Sequence, residues 1–151
     1  MKIELDVPVV TLVYQGKAVV VDFGKEVAGT TTYDFKDGKG PVPAHQHCKG
    51  KGWVADTATV EDTVYVGLTA KVYGDAKVYG DAKVFGDAKV FGYAKVYGDA
   101  KVSGNARVSG NARVSGDAWV FGDAQVSGDA KVSGDAWVSG DAWVSGNDKY
   151  L

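Results

Sequence analysis

The chain is poor in the residues that staple or anchor a fold: among 151 residues it has one cysteine, one methionine, three prolines and two histidines. The lone Cys48 excludes an internal disulfide, and no apolar run approaches the roughly 18 residues of a membrane-spanning helix. The opening Met1-Lys2-Ile3-Glu4-Leu5-Asp6 lacks the apolar stretch of a signal peptide, so a soluble, cytoplasmic protein is expected. Neither sign of charge dominates. With 17 basic and 19 acidic residues the net charge is −2, which gives no overall attraction to long nucleic acid or to an anionic membrane.

Glycine, by contrast, numbers 21, and most of it falls at one phase of a repeat. From Val54 to Val144 a valine recurs every six residues without insertion or deletion, mostly as Val-x-Gly-Asp/Asn-Ala-x. A fixed short period of this kind marks a solenoid whose units are too small to fold alone. Within a hexad such as Ala76-Lys77-Val78-Tyr79, alanine and valine lie two apart, so on a strand both face one side while Lys77 and Tyr79 face the other. Gly80-Asp81 then makes the corner, because glycine tolerates positive φ and aspartate bonds well to a tight backbone. If each corner turns the chain by a third of a revolution, three hexads close one 18-residue coil. Valine and alanine fill the inside of a triangular section.

Two segments follow. Residues 1–50 form a cap or head outside the repeat, and residues 51–151 form the repeat itself. In the first, β-rich runs (Val9 to Tyr14, Ala18 to Phe23, Thr30 to Phe35) are separated by Gln15-Gly16-Lys17 and by Gly24 to Gly29, and read as a small antiparallel sheet. Pro8 precedes the first run, and Pro41 and Pro43 impose an extended link. A sheet this small is marginal alone, so it is expected to cover the open edge of the first coil.

The repeat Val-x-Gly-Asp-Ala-x, over residues 53–147, resembles the hexapeptide repeat of left-handed parallel β-helices. That fold is shared by many acyltransferases and by γ-class carbonic anhydrases, and the repeat-only appearance is similar to bacterial and phage proteins of this superfamily. The resemblance implies an all-β, left-handed parallel β-helix, a triangular prism of about five coils of 18 residues carrying a small N-terminal antiparallel β cap. It also implies a homo-oligomer, a trimer of parallel prisms. The acyltransferases resembled use a histidine near a subunit junction as general base toward acyl-CoA; here only His45 and His47 are available, and both precede the repeat. The carbonic anhydrases need three zinc-binding histidines. A non-catalytic protein is therefore expected, without a cofactor, and an acyl-CoA-dependent acyltransferase is the alternative.

The 18-residue lap sorts the outward residues by face. One face carries Trp53, Lys71, Lys89, Arg107, Gln125 and Trp143 beside Tyr73 and Phe91; a second carries Lys77, Lys95, Arg113, Lys131 and Lys149 beside Tyr79 and Tyr97; a third carries Tyr65, Lys83, Lys101, Trp119 and Trp137 beside Phe85 and Phe121. Trp119, Phe121 and Trp137 should lie together as an aromatic seam for a second subunit. Tyr73, Lys77, Tyr79, Lys83, Phe85, Lys95 and Tyr97 combine flat rings with cations, the chemistry that holds a small anionic ligand such as a nucleotide or cyclic nucleotide. The plainer account is lysine stems lying over exposed rings on a β surface. Asp81, Asp99, Asp117 and Asp135 stack at one corner and read as turn residues, since Ca²⁺ needs six to eight oxygens. His45, His47 and Cys48 are the only cluster with metal-ligand chemistry, an incomplete Zn²⁺ set whose two histidines point the same way if the segment is extended. A polar linker is the plainer reading there.

Overall fold

The structure, a computed structural model, describes residues 10–14, 17–21 and 31–151. Pro8 and the turns expected at Gln15-Gly16 and Gly24 to Gly29 lie outside the described residues. The chain divides into two compact units, Met1–His45 and Gln46–Leu151, five residues before the boundary read from the repeat. No helix occurs among the described residues.

In the first unit, β1 (Val10–Tyr14) pairs antiparallel with β2 (Lys17–Val21), from Val10 opposite Val21 to Tyr14 opposite Lys17. β3 (Thr32–Tyr33) pairs antiparallel with β4 (Val42–Gln46). The second pairing corrects the reading of Pro41 to Pro43 as a mere link. Pro43 stands opposite Thr32 within a ladder, and the next residue, Ala44, donates its N–H to Thr31 O at 2.9 Å. Phe35 and Ala44 are buried, with the Tyr33 ring edge-on to Phe35 at 4.9 Å.

The second unit is a parallel β-solenoid. Strands of two or three residues begin every six residues, from Trp53–Ala55 to Lys149–Tyr150, and residues eighteen apart pair, as in Lys71 with Lys89 and Lys89 with Arg107. The strands therefore form three parallel sheets of about five coils, no two consecutive strands sharing a sheet. A backbone ladder links one coil to the next: Lys71 N–H donates to Ala88 O at 3.0 Å, Tyr73 to Val90 O at 3.0 Å and Asp75 to Gly92 O at 2.9 Å. Every peptide of a short strand finds its partner one lap away. This is why a two-residue strand suffices.

The interior holds valine and alanine only. Val66, Val72 and the valines up to Val132 are fully buried, as are Ala70, Ala76 and the alanines up to Ala130, and Val64 takes an alanine position without leaving the core. Each buried valine contributes about 1.5–3 kcal/mol relative to exposure, and the alanine beside it keeps three walls close enough to touch. Corners are set by glycine at φ +61° to +75° from Gly74 to Gly146. Successive corners approach closely: a Cβ on Gly98 would lie 3.1 Å from N and 3.2 Å from O of Gly116. The first coil has no glycine at this phase. Its corners use Thr57, Thr63 and Thr69, whose hydroxyls donate to Gly74, Gly80 and Gly86 carbonyls at 2.5, 2.5 and 2.7 Å.

Gly140 has the same left-handed φ, +61°, but nothing within 4 Å of its added Cβ. Gly140→Ala is thus expected to cost about 1–2 kcal/mol from backbone strain alone. Gly98→Ala adds the clash with Gly116 and is expected to cost clearly more, read as the difference between the two urea midpoints. Equal midpoints would show that corner stacking is looser than described.

Candidate functional site

The three outward rows fall as the 18-residue lap requires. On the second sheet Lys77, Lys95, Arg113, Lys131 and Lys149 are in register, and on the third Tyr65, Lys83, Lys101, Trp119 and Trp137. What the rows do with their side chains differs from one to the next.

The seven residues expected to hold an anionic ligand are not brought together. Tyr73 lies on the first sheet, Lys77, Tyr79, Lys95 and Tyr97 on the second, Lys83 and Phe85 on the third. Their rings are also engaged with one another. Tyr73 and Phe91 stack at 5.0 Å with planes 3° apart, and Tyr79 and Tyr97 stack at 5.0 Å with planes 4° apart. Tyr73 is only 8% exposed. Ring faces spent on the neighbouring coil are closed to an intercalating base, so what the second sheet offers a ligand is ammonium groups, ring edges and hydroxyls. Lys83 lines a corner groove of about 500 Å³ with Thr63, Asp81, Asp99, Lys101 and Asp117, where three carboxylates face two ammonium groups. That balance opposes an anion.

Burial in the stacked ladder is the main cause raising the Tyr79 phenol above its ordinary value of 10.0; nearby Tyr97 adds to it, Arg113 opposes it and Glu61 adds a little more. The hydroxyl stays protonated, a donor, through the physiological range.

The aromatic seam forms on the third sheet. Trp119 meets Phe121 at 4.6 Å, Trp137 stands edge-on to Trp119 at 5.8 Å, and Phe121 and Trp137 are 6.3 Å apart at 79°. Trp119 and Phe121 are half-buried while Trp137 is 68% exposed. The difference follows position in the stack: Trp137 covers Trp119 from the next coil, whereas Trp137 and Trp143 lie on the end strands of their sheets and Trp143 is 72% exposed. Trp119 Nε1 donates to Ser103 Oγ at 2.9 Å and Trp143 Nε1 to Ser127 Oγ at 3.3 Å, in each case a serine sixteen residues earlier. Sixteen residues before Trp137 stands Phe121, so this indole meets a ring instead of a hydroxyl and is held by apolar contact. Lys101 Nζ lies 5.8 Å from the Trp119 ring centre, a cation–π contact at the edge of the cluster. The sequence shows the rings; the serine partner, readable as a spacing of sixteen, was missed.

The two histidines part. His45 is exposed, whereas His47 is 3% exposed and its Nε2 lies 2.8 Å from Val64 O. Cys48 Sγ sits 3.8 Å from that same Nε2 and 3.8 Å from Asp62 Oδ1. Among the described residues no group of three His, Cys, Asp or Glu side chains is placed to hold a metal ion, so the structure does not bring His45, His47 and Cys48 together. The physical reason is that His47 turns inward and gives its ring nitrogen to a backbone carbonyl. The same bond removes Nε2 from the general-base role that the acyltransferase alternative asked of it.

Residues 106–122 and 124–140 match the family model described as the YdcK beta solenoid repeat. The two matched segments start eighteen residues apart, one coil of the structure. The chain is a β-solenoid repeat protein. The match covers those two coils and not the whole length of the repeat. Comparison with the curated proteins and with the solved structures gave no match.

The raised Tyr79 phenol generates a pH test. A group whose folded pKa exceeds its unfolded value contributes stability that is whole below the unfolded value, 10.0, and is lost as pH rises through the folded value. The urea midpoint is expected to fall above pH 10.0, and Tyr79→Phe to flatten part of that fall; an identical pH profile in the variant would remove Tyr79 as the cause.

Proposed function

We propose that this protein is a non-catalytic, homo-oligomeric assembly and binding module, a left-handed β-helix of the hexapeptide-repeat type whose prisms associate in parallel through the third sheet. The observation that carries the reading is the seam of Trp119, Phe121 and Trp137, in which a tryptophan 68% exposed is propped upright against two other rings. A wet indole costs free energy that a partner surface recovers, and tryptophan anchors are the side chains that dominate protein interfaces. A trimer is the proposed form. The handedness rests on the resemblance of Val-x-Gly-Asp-Ala-x to hexapeptide repeats.

The binding half of the reading rests on the second sheet, with Lys77 and Lys95 as cations and the Tyr79 and Tyr97 hydroxyls as donors toward a small anion such as a nucleotide between prisms. The non-catalytic half is supported by the engagement of His47 Nε2 with Val64 O. No helix among the described residues is long and apolar enough to cross a membrane.

Light scattering coupled to gel filtration tests the assembly. The parent is expected at three times the 15.8 kDa chain mass, and Trp137→Lys at the mass of one chain, still melting cooperatively because no interior residue is changed, at a lower temperature because the stabilisation by association is lost. A monomeric parent, or a variant that keeps the parent's mass, overturns the reading.

A further inference from the structure

On the second sheet every coil from Lys77 onward presents a cation: Lys77, Lys95, Arg113, Lys131 and Lys149 stand in one row, paired strand to strand. The other two sheets break their rows, with Gln125 and Trp143 on the first and with Trp119 and Trp137 on the third. Neighbours in the row are one strand spacing apart, ~4.8 Å, and like charges directly opposite destabilise a sheet. None of the five stands within ion-pair distance of a carboxylate among the described residues. The row is held without an ion pair of its own.

A groove of about 260 Å³ runs beside it, lined by Asn111, Arg113, Asp129, Lys131, Asn147 and Lys149. Three cations face one carboxylate there. Even that carboxylate is partly spent, because Asp129 Oδ1 accepts from Asn111 Nδ2 at 3.1 Å. The groove at the other edge of the same sheet has the opposite balance, with three aspartates against two lysines. Of the two corners, only the first suits an anion.

We propose that this row and groove bind a linear acidic polysaccharide, a chain of uronic acids laid along the solenoid axis with a carboxylate facing the row at every second coil. The proposal rests on the reading of the second sheet as the anion-facing surface and names its ligand class. Spacing selects the class. An extended acidic peptide places same-face carboxylates about 6.6 Å apart, and one strand of duplex DNA advances about 3.4 Å per phosphate. Both lose register with a ~4.8 Å row within a few groups. A 1,4-linked uronate carries one carboxylate on each sugar and, extended in a two-fold form, turns alternate sugars to opposite sides, so that the carboxylates on one side recur at close to two coils. Volume points the same way: the groove is smaller than the roughly 300–1,000 Å³ that enclose a small ligand, so binding is distributed along a polymer. Arg113 supplies a planar fork for one carboxylate and the lysines supply point charges. Ser115 and Ser133, in the adjacent outward row, offer hydroxyls to the sugar ring.

Titration calorimetry of the full chain with polygalacturonate, at low and at physiological salt, tests this. Binding is expected at low salt and weakens as salt rises, as counterion release demands. The triple variant Arg113→Gln, Lys131→Gln, Lys149→Gln is expected to lose about tenfold or more in affinity and part of the salt slope. The variant Lys83→Gln with Lys101→Gln, at the opposite corner, is expected to bind as the parent does. Should the triple variant fail to melt cooperatively, Lys131→Glu alone carries the same expectation. No binding at low salt overturns the proposal, as does equal loss in the opposite-corner variant, or equally tight binding of polyglutamate or single-stranded DNA of matched charge. If ATP raises the melting temperature and the triple variant abolishes that, while polygalacturonate fails, the anion-facing surface stands and the polymer does not. If neither binds, both fall. Salt-sensitive self-association that the triple variant removes would mean that a second copy's aspartates fill the row, which also overturns the polymer.

Discussion

The fold depends on one constraint, that each lap of backbone must end directly above the place where the previous lap ended. The ladder from Lys71 N–H to Ala88 O, repeated coil after coil, requires it. A two-residue strand has no other source of order, since its paired residues are a whole lap distant in sequence and its flanks are corners. Phase is consequently worth more here than side-chain identity. Outward positions accept Lys, Tyr, Phe, Ser, Trp or Gln without disturbing the wall behind them, whereas the inward positions admit valine and alanine and little else. Val64 shows the limit of the tolerance, one larger side chain in the first coil where an alanine is usual.

The same constraint turns the surface into rows, and a row amplifies whatever it contains. Aromatic side chains placed in a row stack and spend their faces on each other, as Tyr73 does with Phe91 and Tyr79 with Tyr97. Carboxylates in a row repel, and the corners relieve this by interposing amides: Asn105 Nδ2 donates to Asp123 Oδ1 at 2.9 Å, and Asn111 bonds Asp129 likewise. Where no amide intervenes, as from Asp81 to Asp135, the acids remain exposed and the ridge is sharply negative. The surface is thereby divided into a basic row and an acidic ridge, each several coils long, and an aromatic seam two coils long. Such zoning suits recognition of a long or repeated partner better than enclosure of a compact substrate.

Much of this was legible in the sequence because the period ties sequence distance to spatial distance. The interior valines and alanines, the glycine corners and the membership of each row all follow from counting in sixes and eighteens. Trp119, Phe121 and Trp137 were placed together by the same count. What counting does not give is how a side chain lies once placed. The sequence presents Tyr73 and Tyr79 as platforms for a ligand, yet a ring above another ring one strand spacing away gains more by stacking flat than by standing open. His47 suggests a ligand or base because imidazole has that chemistry; it precedes the repeat, where no period says which way it points, and it turns inward to the carbonyl of Val64. Pro43 argued against a paired strand, but its missing N–H matters only if that position must donate, and the ladder with Thr32–Tyr33 is carried through Ala44. Handedness is equally beyond the count, because a lap of eighteen residues has the same spacing wound either way.

The ladder bonds all run from coil to coil while the covalent chain runs around the coil, which gives the repeat unit two very different responses to force. A pull along the stack loads the coils in series, so the weakest rung yields first and its neighbours follow one lap at a time, each releasing a fixed length of chain. A squeeze or shear across the stack is instead borne by peptide bonds closed around a packed interior. An object stiff across its girth and able to unspool from one end behaves as a spacer that holds its width under load and pays out chain in equal steps.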